Sequence, residues 1–114
     1  MQTGVRDLQQ IARKTYFTDY AIHAWRFYLE NPDIEQVAKT VYKQNLIADW
    51  NAANHIWAEM NDIERMFAKE VYLGKDTIPD NVYALSQRSG TGQNDIWRVL
   101  RDCERKLAHE RGLI

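Results

Sequence analysis

The stretch Gln93-Asn-Asp-Ile-Trp-Arg-Val-Leu-Arg-Asp-Cys-Glu-Arg-Lys-Leu-Ala-His-Glu-Arg111 decides how this chain is read. Ile96, Leu100, Cys103 and Leu107 are spaced four, three and four residues apart, and Val99 and Ala108 widen the same side. That period predicts an amphipathic helix with one buried stripe. Asn94, Arg98, Arg101 and Arg105 repeat the spacing on the opposite side, so they share one face. Just upstream, Ser89-Gly90-Thr91-Gly92 reads as a tight turn, and about Asp80 to Arg88 as a short helix that buries Val82 and Leu85. The loop before it runs from Gly74, a natural terminator, to Pro79, which suits the first turn of a helix.

Towards the N-terminus the helical pattern continues. Asn61 with Glu64 three residues later resembles a capping box, which starts a helix from Asp62 to Leu73 through Ile63, Met66, Phe67 and Val71. Ile34, Val37, Val41, Ala48, Ala52, Ile56 and Met60 carry no intervening Gly or Pro, so one long helix to about Met60 is expected. Asn31-Pro32-Asp33 separates it from an earlier element, with Asp33 as the cap. That earlier element has apolar positions at Val5, Leu8, Ile11, Ala12, Tyr16, Tyr20, Ile22, Trp25 and Leu29. A break near Thr18-Asp19 is its alternative form, because aromatic and β-branched residues cluster there. The expected fold is all-α, a small bundle of about five helices in a single domain spanning 1–114. Residues 1–60 form its aromatic-rich part and 61–114 the part that carries the arginine face.

Composition agrees. The 114 residues are 45% hydrophobic, with four Trp, six Tyr and three Phe, enough for one core. Five Gly and two Pro are too few for the frequent turns of an all-β chain. Cys103 is alone, which excludes an internal disulfide and a thiol cluster for zinc and fits a cytoplasmic location. The opening Met1-Gln-Thr-Gly-Val-Arg-Asp lacks the apolar run of a signal peptide, and no membrane partner is expected. The net charge of −1 hides an asymmetry: residues 85–114 hold six Lys/Arg against four Asp/Glu, and residues 1–84 hold nine against twelve. The basic end is the one with the arginine face.

No constellation calls for an enzyme, a cofactor or a metal. His55/Glu59 and Asp19/His23 are pairs one helical turn apart, each offering two ligands and no third. Such pairs are ordinarily surface contacts. Ser86 and Ser89 lack the His and carboxylate pattern that would activate a hydroxyl. Gly90-Thr91-Gly92 is too short for a phosphate loop and has no following Lys-Ser/Thr.

A short helix, a Gly-containing turn and a longer amphipathic helix form the order of a helix-turn-helix. Amide side chains at the start of the second helix, followed by an arginine ridge, suit the major groove, because Asn and Gln pair with adenine edges and Arg with guanine or phosphate. The segment Ala84-Leu-Ser-Gln-Arg-Ser-Gly-Thr-Gly-Gln-Asn-Asp-Ile-Trp-Arg-Val-Leu100 resembles the helix-turn-helix of sigma factor region 4 and of related phage late-gene activators of the RinA/ArpU type. Ile63-Glu-Arg-Met-Phe-Ala-Lys-Glu-Val-Tyr-Leu73 resembles the helix preceding that motif, and Arg105-Lys-Leu-Ala-His-Glu-Arg-Gly112 its closing segment. The resemblance covers roughly residues 60–112. It implies a phage-encoded or prophage-encoded transcriptional regulator that contacts double-stranded DNA through Gln93, Asn94, Trp97, Arg98 and Arg101, with Arg105 completing the face. Ser89 stands where that family has a buried Leu, and Thr91 where it has a Val or Ile, which predicts a looser apolar contact across the turn.

The other reading is a small helical protein-interaction or phage assembly protein without DNA binding. It draws on the near-neutral charge and on Trp25, Phe27, Tyr28, Trp50 and Trp57 in the front half. Those aromatics are expected to pack in the core. The alternative places part of their surface against a second copy of the chain, as a homodimer, or against RNA polymerase.

Overall fold

A computed structural model describes residues 17–40 and 44–114. Its regular structure is helical throughout: α1 (residues 17–30), α2 (Ile34–Thr40), α3 (Gln44–Glu59), α4 (Asp62–Tyr72), α5 (Ile78–Ser89) and α6 (Gln93–Glu110). The all-α class is as expected, with six helices among the described residues rather than about five. No helix among them is long and apolar enough to cross a membrane. Helix α1 runs through Thr18-Asp19 without a break, while the stripe from Val5 to Tyr16 lies outside the described residues.

The expectation of one long helix from Ile34 to Met60 is corrected. The Trp50 indole Nε1 donates to the Asn31 carbonyl at 2.6 Å. A straight helix from 34 to 50 would carry Trp50 about 24 Å away from that end, far beyond side-chain reach. Helices α2 and α3 therefore cannot be collinear, and the indole hydrogen bond draws the start of α3 back onto the end of α1.

Local signals set the other boundaries. The Asn31 backbone N–H returns to the Phe27 carbonyl at 3.0 Å and its side chain to the same oxygen at 2.9 Å, closing α1 before Pro32. The Asp33 carboxylate accepts from the Glu35 N–H at 3.0 Å at the start of α2. At α4 the capping box is complete: Asn61 Oδ1 accepts from the Glu64 N–H, and Glu64 Oε1 from the Asn61 N–H, at 2.8 and 2.9 Å. Thr77 caps α5, with Pro79 in its first turn.

Two groups of helices share one core. Helices α4, α5 and α6 pack on one another, and α3 packs on α6. The front-half aromatics are mainly core, with Trp25, Tyr28 and Trp50 buried and Phe27 and Trp57 partly so. Their rings meet at tilted or edge-on angles, Tyr28 lying 5.1 Å from Trp50 and 6.0 Å from Trp57. Trp25 is wholly enclosed and its Nε1 donates to the Cys103 carbonyl at 3.1 Å, tying α1 to the middle of α6. Removing so large a buried side chain costs about 3–5 kcal/mol in a typical core. A second tie is ionic. Buried Asp49 receives the Tyr20 hydroxyl and the Arg111 Nε–H on one oxygen, each at 2.6 Å, so α1, α3 and the end of α6 meet there.

In α4, Phe67 and Val71 are buried as expected, but Ile63 and Met66 are 62% and 38% exposed. The buried side is centred on Ala68 and Val71 and takes in Tyr72, which turns Ile63 and Met66 outward. The connection to α5 depends on a close approach. A Cβ on Gly74 would lie 2.5 Å from Asn81 side-chain atoms. Asn81 is buried and donates to the Val71 and Asp76 carbonyls at 2.9 and 3.1 Å, so it has no room to withdraw. Gly74→Ala is expected to lower unfolding free energy by about 1–3 kcal/mol, the usual cost of overpacking. Urea melts followed by circular dichroism check this, and a midpoint equal to that of the parent protein would refute it.

Candidate nucleic-acid interface

The candidate surface begins at the turn between α5 and α6. Gly90 has φ 73°, a left-handed conformation that costs a residue with a side chain about 1 kcal/mol or more, and its N–H caps α5 by donating to the Ser86 carbonyl at 3.0 Å. Where an apolar staple was expected to be weak, hydroxyls bridge the turn. Ser86 Oγ donates to the Thr91 carbonyl at 2.6 Å, and Ser89 Oγ donates to the Leu85 carbonyl at 2.7 Å. Ser89 Oγ also accepts from the Thr91 N–H at 3.2 Å. Each bond adds roughly 0.5–1.5 kcal/mol. Beneath them Val82 and Leu85 of α5 share the core with Ile96 and Leu100 of α6. Arg88, at the end of α5, pairs with Glu70 of α4 at 2.8 Å.

Helix α6 buries the expected stripe, Ile96, Leu100, Cys103, Leu107 and Ala108, and leaves its other side open. Gln93, Asn94, Arg98, Arg101 and Arg105 are all exposed, and Lys106 is exposed on the flank of the helix. Trp97 is half-buried at the edge. Gly92 caps the helix without a side chain, so only its carbonyl serves the first turn, accepting from Asp95 at 3.1 Å.

Four cations of α6 have acidic neighbours on the same helix. Arg98 lies 3.4 Å from Asp95, and Arg105 and Lys106 lie 3.7 and 3.1 Å from Asp102. These are exposed pairs one turn apart, each worth about 0.2–0.5 kcal/mol. Pairs this weak lower the field of the face without closing it.

Arg101 is held differently. Its Nη1 donates to Glu104 Oε1 at 2.7 Å, and its guanidinium lies 4.8 Å from the centre of the Trp97 ring. Glu104 is only 1% exposed. Its other oxygen, Oε2, accepts from the Tyr72 hydroxyl of α4 at 2.6 Å. Burial pushes the Glu104 carboxyl up, and the Tyr72 hydroxyl and Arg101 oppose that by stabilising the carboxylate. Burial and the adjacent Glu104 raise the Tyr72 hydroxyl well above the ordinary range, so it stays a donor. The result is a Tyr72–Glu104–Arg101 line that runs from the core to the surface, ending on Trp97.

An acid in so charged a helix ordinarily stays solvated, yet Glu104 is buried. One sequence signal pointed to it: Glu104 follows Leu100 by four and precedes Leu107 by three, placing it on the apolar stripe.

The other candidate groups are structural. His55 meets Glu59 at 3.7 Å and Glu110 of α6 at 2.5 Å, and both carboxylates raise its pKa, Glu110 first through the hydrogen bond. Cys103 is buried, which pushes its thiol up to about 12. Among the described residues no group of three or more His, Cys, Asp or Glu side chains is placed to hold a metal ion.

The arginines are therefore unequal. Removing Arg101 leaves one oxygen of the buried Glu104 unmatched, but its own half-exposed guanidinium is screened by water, while removing an exposed residue changes stability by within about 0.5 kcal/mol. Arg101→Ala is expected to destabilise the fold by about 1–3 kcal/mol in urea melts and Arg98→Ala by less than about 0.5 kcal/mol. Equal effects would contradict the difference in burial.

No family model matches the sequence, and neither a curated protein nor a solved structure matches it.

Proposed function

We propose that the chain is a sequence-reading DNA-binding protein of the transcription-regulator kind, with α6 as the helix that enters the major groove. The observation that supports this most is the continuous outward strip of Asn94, Arg98, Arg101 and Arg105 on a helix whose opposite side is buried. Gln93 and Asn94 stand at its start, where base edges are read, and the cations follow along its length. The resemblance to sigma factor region 4 and phage late-gene activators favours the same reading and suggests a phage-encoded or prophage-encoded origin. The front-half aromatics are largely consumed by the core, so contacts to RNA polymerase or to a second copy would have to use another surface.

A protein-interaction role without DNA is the second reading. Ile63, Met66 and Leu73 lie exposed along one side of α4 and its end, and each α6 arginine already has a carboxylate beside it.

Fluorescence anisotropy with labelled duplex DNA separates the two. Binding is expected at low salt, with log affinity falling linearly with log salt concentration. The Arg98→Ala/Arg105→Ala variant should bind more weakly, with a slope shallower by about two, one for each lost phosphate contact. Absence of salt-dependent binding by the parent protein would reject the DNA reading and leave the interaction reading.

A further inference from the structure

We infer that Arg101 is a fixed DNA-phosphate clamp and that Glu104 is its positioning residue, a role that rests on the DNA-binding reading of α6. Arg98 and Arg105 reach only exposed carboxylates and can reorient. Arg101 is gripped from two directions. The buried Glu104 carboxylate takes one N–H at 2.7 Å, and the Trp97 ring supports the guanidinium at 4.8 Å. Glu104 is itself anchored by the Tyr72 hydroxyl of α4 at 2.6 Å, so its position is set by the packing of another helix. A guanidinium has five N–H donors in a rigid plane, and the contact with Glu104 uses one edge. Arg101 remains half-exposed, so its remaining edge faces solvent with its orientation already chosen.

Place along the helix identifies the ligand atom. Arg101 lies eight residues after Gln93, or about 12 Å at the helical rise, comparable to the width of the major groove. With the first turn of α6 over the bases, Arg101 falls at the groove wall, where phosphate oxygens lie. Phosphate contacts set the register of a protein on the duplex, and a prealigned guanidinium loses less freedom in forming one. Trp97, expected from the sequence to touch DNA, serves here as the platform under Arg101.

The test uses the full chain and two duplex pools, random DNA and DNA selected by the parent protein from it. Glu104→Gln removes a negative charge near the DNA, so a merely electrostatic Glu104 would leave binding to both pools stronger. A positioning Glu104 gives the opposite outcome on selected DNA. The preference for selected over random duplex falls about tenfold, because register is lost while non-specific attraction is kept. Arg101→Lys provides the variant that keeps a counterion for Glu104 and the full charge. It should lose preference by a similar factor, since an ammonium has no fixed plane. Circular dichroism confirms that both variants remain helical. If both retain the parent's preference, the clamp is wrong while DNA binding stands. If the parent protein itself ignores both pools at low salt, the DNA reading fails and the clamp with it.

Discussion

A carboxylate at 1% exposure is tolerated only when both of its oxygens are satisfied, and Glu104 meets that condition with one group from another helix and one from its own. The Tyr72 hydroxyl reaches it from α4, and Arg101 closes the other oxygen from the preceding turn of α6. The interaction fixes where α4 and α6 lie against each other and which way the α6 face points. Around it α1 and α3 attach to the same axis. Trp25 bonds the Cys103 carbonyl, His55 reaches Glu110, and Arg111 at the end of α6 closes on Asp49. Helix α6 is thus both the spine of the core and the carrier of the exposed arginines.

That double duty explains an otherwise conflicting charge pattern. A helix rich in Arg next to Asp and Glu reads as a solvated surface, and most of its pairs are of that weak kind. Only the pair with Glu104 has its acid inside, where the carboxylate is shielded from water while the Arg101 guanidinium stays half-exposed. The face therefore combines two adaptable cations, Arg98 and Arg105, with one held by a buried acid. Under the proposal that α6 reads DNA, the two kinds would divide the work between attraction and alignment.

Local features of the fold were legible in the sequence for local reasons. The stripe of Ile96, Leu100, Cys103 and Leu107 follows the helical period, and the reciprocal Asn61–Glu64 cap spans three residues. The turn at Gly90 needed a residue free to adopt positive φ, and a glycine stood there. What was not legible depends on partners far apart in the chain. Glu104 and Tyr72 are 32 residues apart, and Asp49 is 29 from Tyr20 and 62 from Arg111. The departure from a straight α2–α3 run carries no Gly or Pro to mark it, and is revealed by the Trp50 indole on Asn31. At the candidate interface the exposed positions followed from the wheel, but the inequality among its arginines required knowing which acid is buried.

The Tyr72–Glu104 contact is measured most directly by a double-mutant cycle in urea unfolding, with Tyr72→Phe, Glu104→Gln and the pair together. A shared buried hydrogen bond to a carboxylate predicts that the two changes are non-additive, with a coupling of about 1–3 kcal/mol. Additive losses would mean that Tyr72 and Glu104 act independently, and the tie between α4 and the arginine face would not exist.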